Sequence, residues 1–153
     1  MLERIIYFVL LFGIAGAFSA QGGFAGERAK AMALGDQAAV YLREHGEKEL
    51  ARVINENGMF RDGELYVWAM KTDLSTTSMV FAHPSKALIN HDFIDMKDAK
   101  GKNFVREILE LVKVRKTGWI EYMWTEPVSK KIKPKHTYII RIDKVIILCG
   151  YYN

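Results

Sequence analysis

The feature that most constrains the fold is a change in the spacing of apolar residues at Glu64. Across residues 27–45, apolar side chains recur every three or four positions, which predicts a helix. After Glu64, the large side chains of Tyr66, Trp68 and Met70 recur at every second position, which predicts a strand. A chain that opens with helix and continues in strands predicts an α+β fold.

The remaining elements follow from the same patterns. The leading helix is interrupted at Gly46 and resumes over residues 47–55. Asn103 is a candidate N-cap for a second helix over residues 104–114. Five strands are predicted, at residues 64–70, 78–82, 119–124, 136–142 and 144–151. Short joins between them predict a five-stranded antiparallel sheet, with a long N-terminal helix and a helix inserted between strands two and three.

The first twenty residues differ in kind from the rest. A charged lead precedes an uninterrupted run of apolar residues and glycine over residues 5–17, and Ala15 and Ala17 suit a cleavage site. This pattern predicts a signal peptide, and the run is short for a membrane span. Glu3 weakens the usual positive lead, so an uncleaved anchor is the alternative; a buried helix is less favoured because the run has no polar face. We therefore expect residues 1–20 to be an export segment or anchor and residues 24–153 to form one domain. That domain would be periplasmic or extracellular, or tethered to the inner membrane.

Composition excludes several classes of protein. The single cysteine, Cys149, rules out an intrachain disulfide and a cysteine-rich zinc site. The net charge is +4, and the one basic cluster, at residues 130–135, is interpreted as a solvated loop edge. An extended basic face is missing, so we expect no nucleic-acid partner.

Seven short motifs occur along the chain in a particular order. They are residues 42–51, Gly58-Met59-Phe60 with residues 65–68, Ala82-His83-Pro84, residues 96–105, residues 118–124 with Pro127, Lys135 with Tyr138, and Gly150-Tyr151. In this order and spacing they resemble the single Cache domains, which are extracytoplasmic PAS-like sensor modules. The resemblance covers residues 31–151. The join at residues 142–145 is shorter than is usual in the family.

The resemblance implies a PAS-like sheet and a sensor of small molecules in signal transduction, chemotaxis included. It implies no enzymatic activity and no cofactor. Many such modules continue into a membrane helix and a signalling domain, whereas this sequence ends at Asn153. We therefore expect a separate partner, a membrane receptor or a kinase, and we also consider a homodimer.

The candidate binding site is centred on residues 118–141, where aromatic and cationic residues are concentrated. A carboxylate in a partly apolar cavity needs charge-assisted donors to offset its desolvation. The residue types and the resemblance together predict six ligand-binding residues for a short organic carboxylate: Trp68, His83, Tyr122, Trp124, Lys135 and Tyr138. Each aromatic ring could instead simply pack the sheet, and His83 could cap its turn.

Strand alternation complicates this site. Tyr122 and Trp124 share one face of their strand, while Lys135 and Tyr138 fall on opposite faces of theirs. We expect Tyr122, Trp124 and Tyr138 to face the cavity. Lys135 would then either bend inward after Pro134 or lie on the surface.

Two other functions remain open at this point. A metal-dependent secreted hydrolase would use His83, His91, Asp92 and Asp98, although their spacing matches no closed metal motif. An interaction module with a collapsed pocket would serve dimerisation or partner binding. Its surface would be the helix over residues 27–45.

Overall fold

The computed structural model describes residues 19–56 and 58–153. The predicted export segment lies outside the described residues, apart from Ser19 and Ala20. The elements are α1 (Ser19–Asn55), β1 (Arg61–Asp62), β2 (Leu65–Thr72), β3 (Ser78–Ala82), a short 3-10 turn (Lys86–Leu88), α2 (Phe104–Val114), β4 (Thr117–Thr125), β5 (Ile132–Ile142) and β6 (Val145–Tyr152). In this part of the chain, no helix combines the length and apolar character needed to cross a bilayer.

The long N-terminal helix confirms the predicted pattern, including its interruption. Gly46 has φ 81° and ψ 172°, a conformation that L-residues with side chains rarely adopt, and it bends α1 between two helical stretches. The buried face of α1 includes Ala31, Ala38, Leu42 and Leu50. These residues pack on one side of the sheet.

The sheet is antiparallel throughout, as predicted. Its strand order is β1-β2-β6-β5-β4, and β3 pairs with β2. Because β6 occupies one edge of β2, β1 and β3 share the other. The two-residue β1 is a sixth strand that the sequence patterns do not predict. β5 begins at Ile132, four residues before the predicted start, and Pro134 fits because it lies beyond the last β5–β6 pair, Lys135 with Tyr152.

Two hydrophobic cores cover the two faces of the sheet. One lies between the sheet and α1. The other lies between the sheet, α2 and the segment that precedes α2, and includes Phe93, Phe104 and Ile108. Asn103 caps α2 by accepting a hydrogen bond from the Arg106 backbone N–H, as predicted. The candidate site belongs to the second core.

Candidate functional site

An aromatic cluster fills the α2 side of the sheet. Its members are Tyr66 and Trp68 of β2, Tyr122 and Trp124 of β4, and His83, Phe93 and Phe104. Tyr122 stacks on Phe104 with a centroid distance of 4.2 Å and an interplanar angle of 10°. The rings leave no space for a water molecule between them. The cluster therefore brings together four of the predicted site residues in a closed arrangement: Trp68, His83, Tyr122 and Trp124.

Lys135 lies beside this cluster as a buried cation. Its side chain is fully buried, and its Nζ has no hydrogen-bond partner among the described residues. The Nζ lies 3.8 Å from the centroid of the Tyr66 ring and 5.2 Å from that of Tyr152. Aromatic faces attract a cation, but burial without a counter-ion remains costly. The arrangement leaves positive charge available to an anion.

The strand register explains why Lys135 faces inward. Lys135 is paired with Tyr122 on β4 and with Tyr152 on β6, so all three side chains lie on one face. No bend at Pro134 is needed. Gly150 provides the room, since a Cβ there would lie 2.8 Å from Lys135 Cε. The alternative prediction, that Lys135 lies on the surface, is therefore wrong.

Tyr138 lies on the other face of the sheet. Its cross-strand partner is Trp119, and its hydroxyl donates to Asp36 Oδ1 of α1 at 3.4 Å. Burial and the nearby Asp36 carboxylate raise the pKa of Tyr138. The expectation that Tyr138 shares a cavity with Tyr122 is thus wrong. The prediction that Tyr138 and Lys135 lie on opposite faces of β5 is correct. The face that meets the aromatic cluster, however, is the one that carries Lys135.

His83 has one ring nitrogen bonded and one free to donate. Nδ1 accepts a hydrogen bond from the Ser85 backbone N–H at 2.8 Å, which is the turn-capping role considered above. Burial, with the Lys135 charge as a second cause, lowers the pKa of His83 to about 3. The ring is therefore neutral at physiological pH, and Nε2 carries the hydrogen. His83 Nε2 is therefore chemically able to donate a hydrogen bond to an anion.

A cleft of about 500 Å³ connects the aromatic cluster to the surface. Tyr66, His83 and Trp124 belong to both the cluster and the cleft. Its lining also includes Arg61, Pro84, Ser85, Leu88, Thr125, Pro127 and Lys130. Sequence reasoning missed Tyr66, Arg61 and Lys130. Tyr66 could have been found because it alternates with Trp68 on the same face of β2.

Two further tyrosines complete the buried polar groups near Lys135. The hydroxyls of Tyr66 and Tyr152 are 3.4 Å apart, and Tyr152 donates to the Thr125 carbonyl at 3.1 Å. Burial raises the pKa of Tyr152 and of Tyr122 well above the ordinary range. The phenols of Tyr152 and Tyr122 can therefore act only as neutral hydrogen-bonding groups.

The acidic residues considered for a metal site have structural roles. Asp92 Oδ1 accepts from the backbone N–H groups of Ser78 and Ile94. Asp98 accepts from three backbone N–H groups, those of Lys100, Lys102 and Met123. Within residues 19–56 and 58–153, no three His, Cys, Asp or Glu side chains are grouped as a metal site would require. The hydrolase alternative has no supporting geometry there.

The antiparallel sheet, the long N-terminal helix on one face and the pocket on the other define a PAS-like sensor fold. The chain belongs to the family described as single Cache domain 2, whose sequence profile matches residues 36–152. No curated protein matches the chain significantly.

Several solved structures are similar in fold, and three of them are described below. The first, described as the structural basis for carboxylic acid recognition by a Cache chemosensory domain, has 21% identity and a TM-score of 0.70, covering 88% of this chain and 98% of its own. A periplasmic sensor domain of a chemotaxis protein has 20% identity and a TM-score of 0.65, with 89% and 99% covered. A methyl-accepting chemotaxis protein from Vibrio parahaemolyticus RIMD 2210633 has 14% identity and a TM-score of 0.71, with 86% and 92% covered. All three are described as sensory or chemotaxis proteins.

Proposed function

We propose that this chain is an extracytoplasmic sensor module that binds a short organic carboxylate and signals through a separate partner. The observation that carries the proposal is the fully buried Lys135 ammonium, which no described residue bonds. A carboxylate near it would supply the missing counter-charge. One structural relative is described as a Cache chemosensory domain that recognises carboxylic acids, which supports the same ligand class.

In this proposal the ligand enters through the cleft. Its carboxylate accepts a hydrogen bond from His83 Nε2 at the inner end of the cleft and interacts with the Lys135 charge next to Tyr66. Trp68, Tyr122 and Trp124 form the apolar wall. The aromatic cluster is closed. The ligand must therefore favour a conformation of the protein in which the rings of the cluster move apart.

Signalling in this scheme passes from the site to α1. The His83 backbone is hydrogen-bonded to the last residue of α1, so a shift at the cleft would reach that helix directly. The partner would be a membrane receptor or a kinase, and α1 could also pair two copies of the chain. The export segment would place the domain in the periplasm or outside the cell.

Thermal unfolding with matched ligands tests the binding site. Acetate, propionate and pyruvate should raise the Tm, whereas acetamide, which has the shape of acetate without its charge, should not. Lys135→Met should abolish the response. Tyr138→Phe should keep it, because Tyr138 lies on the α1 side of the sheet. The proposed site would be refuted if acetate and acetamide raised the Tm equally, or if the two variants showed the same Tm response to acetate.

The closed aromatic cluster favours one alternative, an interaction module that binds no small molecule. In that case isothermal titration calorimetry would detect no binding of any carboxylate. Sedimentation would instead show self-association of the chain, and substitutions on the exposed face of α1, such as Val40→Lys, would reduce it.

A further inference from the structure

We propose that the connection between β4 and β5 is a docking surface for an anionic lipid bilayer. The surface consists of two aliphatic side chains, Val128 and Ile132, and of the ammonium groups of Lys130 and Lys131 between them. These four residues are called the loop surface. None of them is among the groups proposed to bind the carboxylate, so the inference goes beyond the proposed function and does not depend on it.

The two aliphatic side chains of the loop surface are in contact with water. Val128, in the turn, is 72% exposed, and Ile132, the first residue of β5, is 56% exposed. A single exposed aliphatic residue is ordinary on a protein surface, but two on the same short connection form an apolar projection. The domain leaves this apolar area unburied.

The two lysines of the loop surface are free to interact with an anionic partner. Both are exposed, and in the described part of the chain no acidic side chain forms an ion pair with either. The only acid of the connection, Glu126, is buried. It accepts hydrogen bonds from two backbone N–H groups of the turn and lies 3.5 Å from Nζ of Lys133. The exposed charge of the connection is therefore positive.

The backbone of the turn holds these side chains together. The Glu126 N–H donates to the Lys131 carbonyl at 2.8 Å, and the Lys130 N–H donates to the Glu126 carbonyl at 2.9 Å. Lys130 has φ 60°, in the left-handed region, which reverses the chain inside the turn. Because the turn is already formed, docking requires little ordering of the backbone.

The loop surface lies at one end of the sheet. Residues 126–131 follow the last β4–β5 pair, Thr125 with Ile132. The β5–β6 turn follows the pair of Ile142 with Val145, so it lies at the opposite end of β5. The β1–β2 turn shares the end of the loop surface, since Tyr66 is paired with Gly150 near the end of β6.

The N-terminal part of α1 is directed toward the same end. Gly46 lies at the β5–β6 turn, where it lines a groove with Asp143. Gly35 lies farther from that turn, since a Cβ there would be 3.2 Å from Cδ1 of Tyr138. Followed toward Ser19, the helix therefore approaches the end of the sheet that carries the loop surface. In the sequence, the apolar run over residues 5–17 comes just before Ser19. If this run stays attached and enters a bilayer, it brings the loop surface to that bilayer.

This combination of groups suits the headgroup region of an anionic bilayer. Aliphatic side chains gain free energy at the boundary between headgroups and acyl chains, and lysine ammonium groups are attracted to lipid phosphates. An acidic protein would also attract the lysines, but the direction of α1 favours the bilayer. The β1–β2 turn at the same end carries Asp62 and Glu64, so the attraction is confined to the loop surface.

Fluorescence from a dye on the loop tests this inference with the full chain reconstituted into vesicles. Val128→Cys provides the attachment site for a thiol-reactive dye that is sensitive to polarity. The natural Cys149 should not react, because it is fully buried and burial raises the pKa of its thiol to about 12. Emission should increase and shift to shorter wavelength in phosphatidylcholine vesicles that contain about 30% phosphatidylglycerol. It should not do so in phosphatidylcholine alone. Ile132→Cys, labelled in the same way, should give the same result.

Val114→Cys is the matched control for the label. Val114 is 80% exposed at the end of α2, just before Thr117, which pairs with Ile140 toward the other end of the sheet. A dye at this position should report water in both kinds of vesicle. An equal change at positions 114 and 128 would refute the loop surface.

Removing the two lysines tests the electrostatic part. Lys130→Asn with Lys131→Gln should lower the equilibrium constant for docking at low salt by about 5-fold for each lysine, and asparagine tolerates the left-handed backbone at position 130. Lys113→Gln with Lys116→Gln removes the same charge at the other end of the sheet and should change nothing. Salt at about 0.5 M should release the loop by screening.

Four results would overturn the proposal. They are an equal change in both kinds of vesicle, no change in either, docking that survives loss of Lys130 and Lys131 unaltered, and the same emission change with soluble polyglutamate. The last result would identify an acidic protein as the better partner. No carboxylic acid ligand is present in these measurements, so each of these outcomes leaves the proposed function standing.

Discussion

Asn55, the last residue of α1, accepts a hydrogen bond from the His83 backbone N–H through its side-chain Oδ1, at 2.8 Å. Its Nδ2 donates to the Phe81 carbonyl at 3.3 Å. One amide therefore connects the end of the helix on one face of the sheet to the end of β3, where the His83 ring contacts the aromatic cluster on the other face. The two faces of the domain are joined at this pair.

Replacing Asn55 by alanine should weaken this connection. Two partly buried hydrogen bonds are lost, so we expect the free energy of unfolding to fall by about 1–3 kcal/mol in urea titrations. Hydrogen exchange should also show that acetate no longer protects the amides at the end of α1. Glu56→Ala, an exposed change one residue later, should have neither effect. Ligand-dependent protection that persists in Asn55→Ala would contradict coupling through this amide.

Lys135→Met should make the ligand-free protein more stable. Methionine is one atom shorter than lysine, keeps an unbranched apolar chain in its place, and removes a buried charge that has no hydrogen-bond partner in the described residues. Replacing an uncompensated buried ion by an apolar group is stabilising in many proteins, and we expect about 1–2 kcal/mol. Urea denaturation without added acid measures this. A loss of stability would mean that the contacts of Nζ with the Tyr66 and Tyr152 rings outweigh its desolvation.

Most of the fold could be predicted because its signals are local. The change of period at Glu64, the break at Gly46 and the cap at Asn103 each depend on residues close in the sequence, and each is confirmed. β1 was not predicted, because a strand of two residues is too short to show an alternating pattern of apolar residues. It exists only because Arg61 and Asp62 pair with Tyr66 and Leu65 of β2.

The site was harder to predict because it depends on register between strands. Alternation correctly separated Lys135 from Tyr138, but nothing in the local sequence says which residue of β4 lies opposite Lys135. The pairing of Tyr122 with Lys135 decides that the lysine, and not Tyr138, joins the cluster. Arg61 and Lys130 were missed for a similar reason, since they come from β1 and a turn that only the tertiary fold brings to one cleft.

His83 should make stability depend on pH. Its pKa is lowered to about 3 by burial and by the Lys135 charge, whereas an unfolded histidine titrates near 6.5. Between these values the unfolded state binds a proton that the folded state does not, so stability falls as pH decreases from about 6.5. The slope from one such group is up to about 1.4 kcal/mol per pH unit.

Urea titrations between pH 6.5 and 4.5 measure that slope, above the range where most carboxylates titrate. His83→Gln should flatten the curve, and His91→Gln, at an exposed position, should not. Equal slopes for His83→Gln and the wild type would show that the ring is protonated in the folded protein. The neutral donor assigned to His83 would then be incorrect.

Gly150→Ala should destabilise the domain and displace Lys135. A Cβ at position 150 would lie 2.7 Å from Thr137 Oγ1, 2.8 Å from the His136 carbonyl oxygen and 2.8 Å from Lys135 Cε. The backbone oxygen cannot move without disturbing the β5–β6 pairing, so we expect a loss of about 1–3 kcal/mol in urea and a weaker response to acetate. Gly26→Ala is the control, because a Cβ there meets no atom within 4 Å and alanine favours the helix, which predicts a gain of up to about 1 kcal/mol. If Gly150→Ala is as stable as the wild type and keeps its acetate response, the lysine does not need the space that Gly150 leaves, and its position beside Tyr66 has another cause.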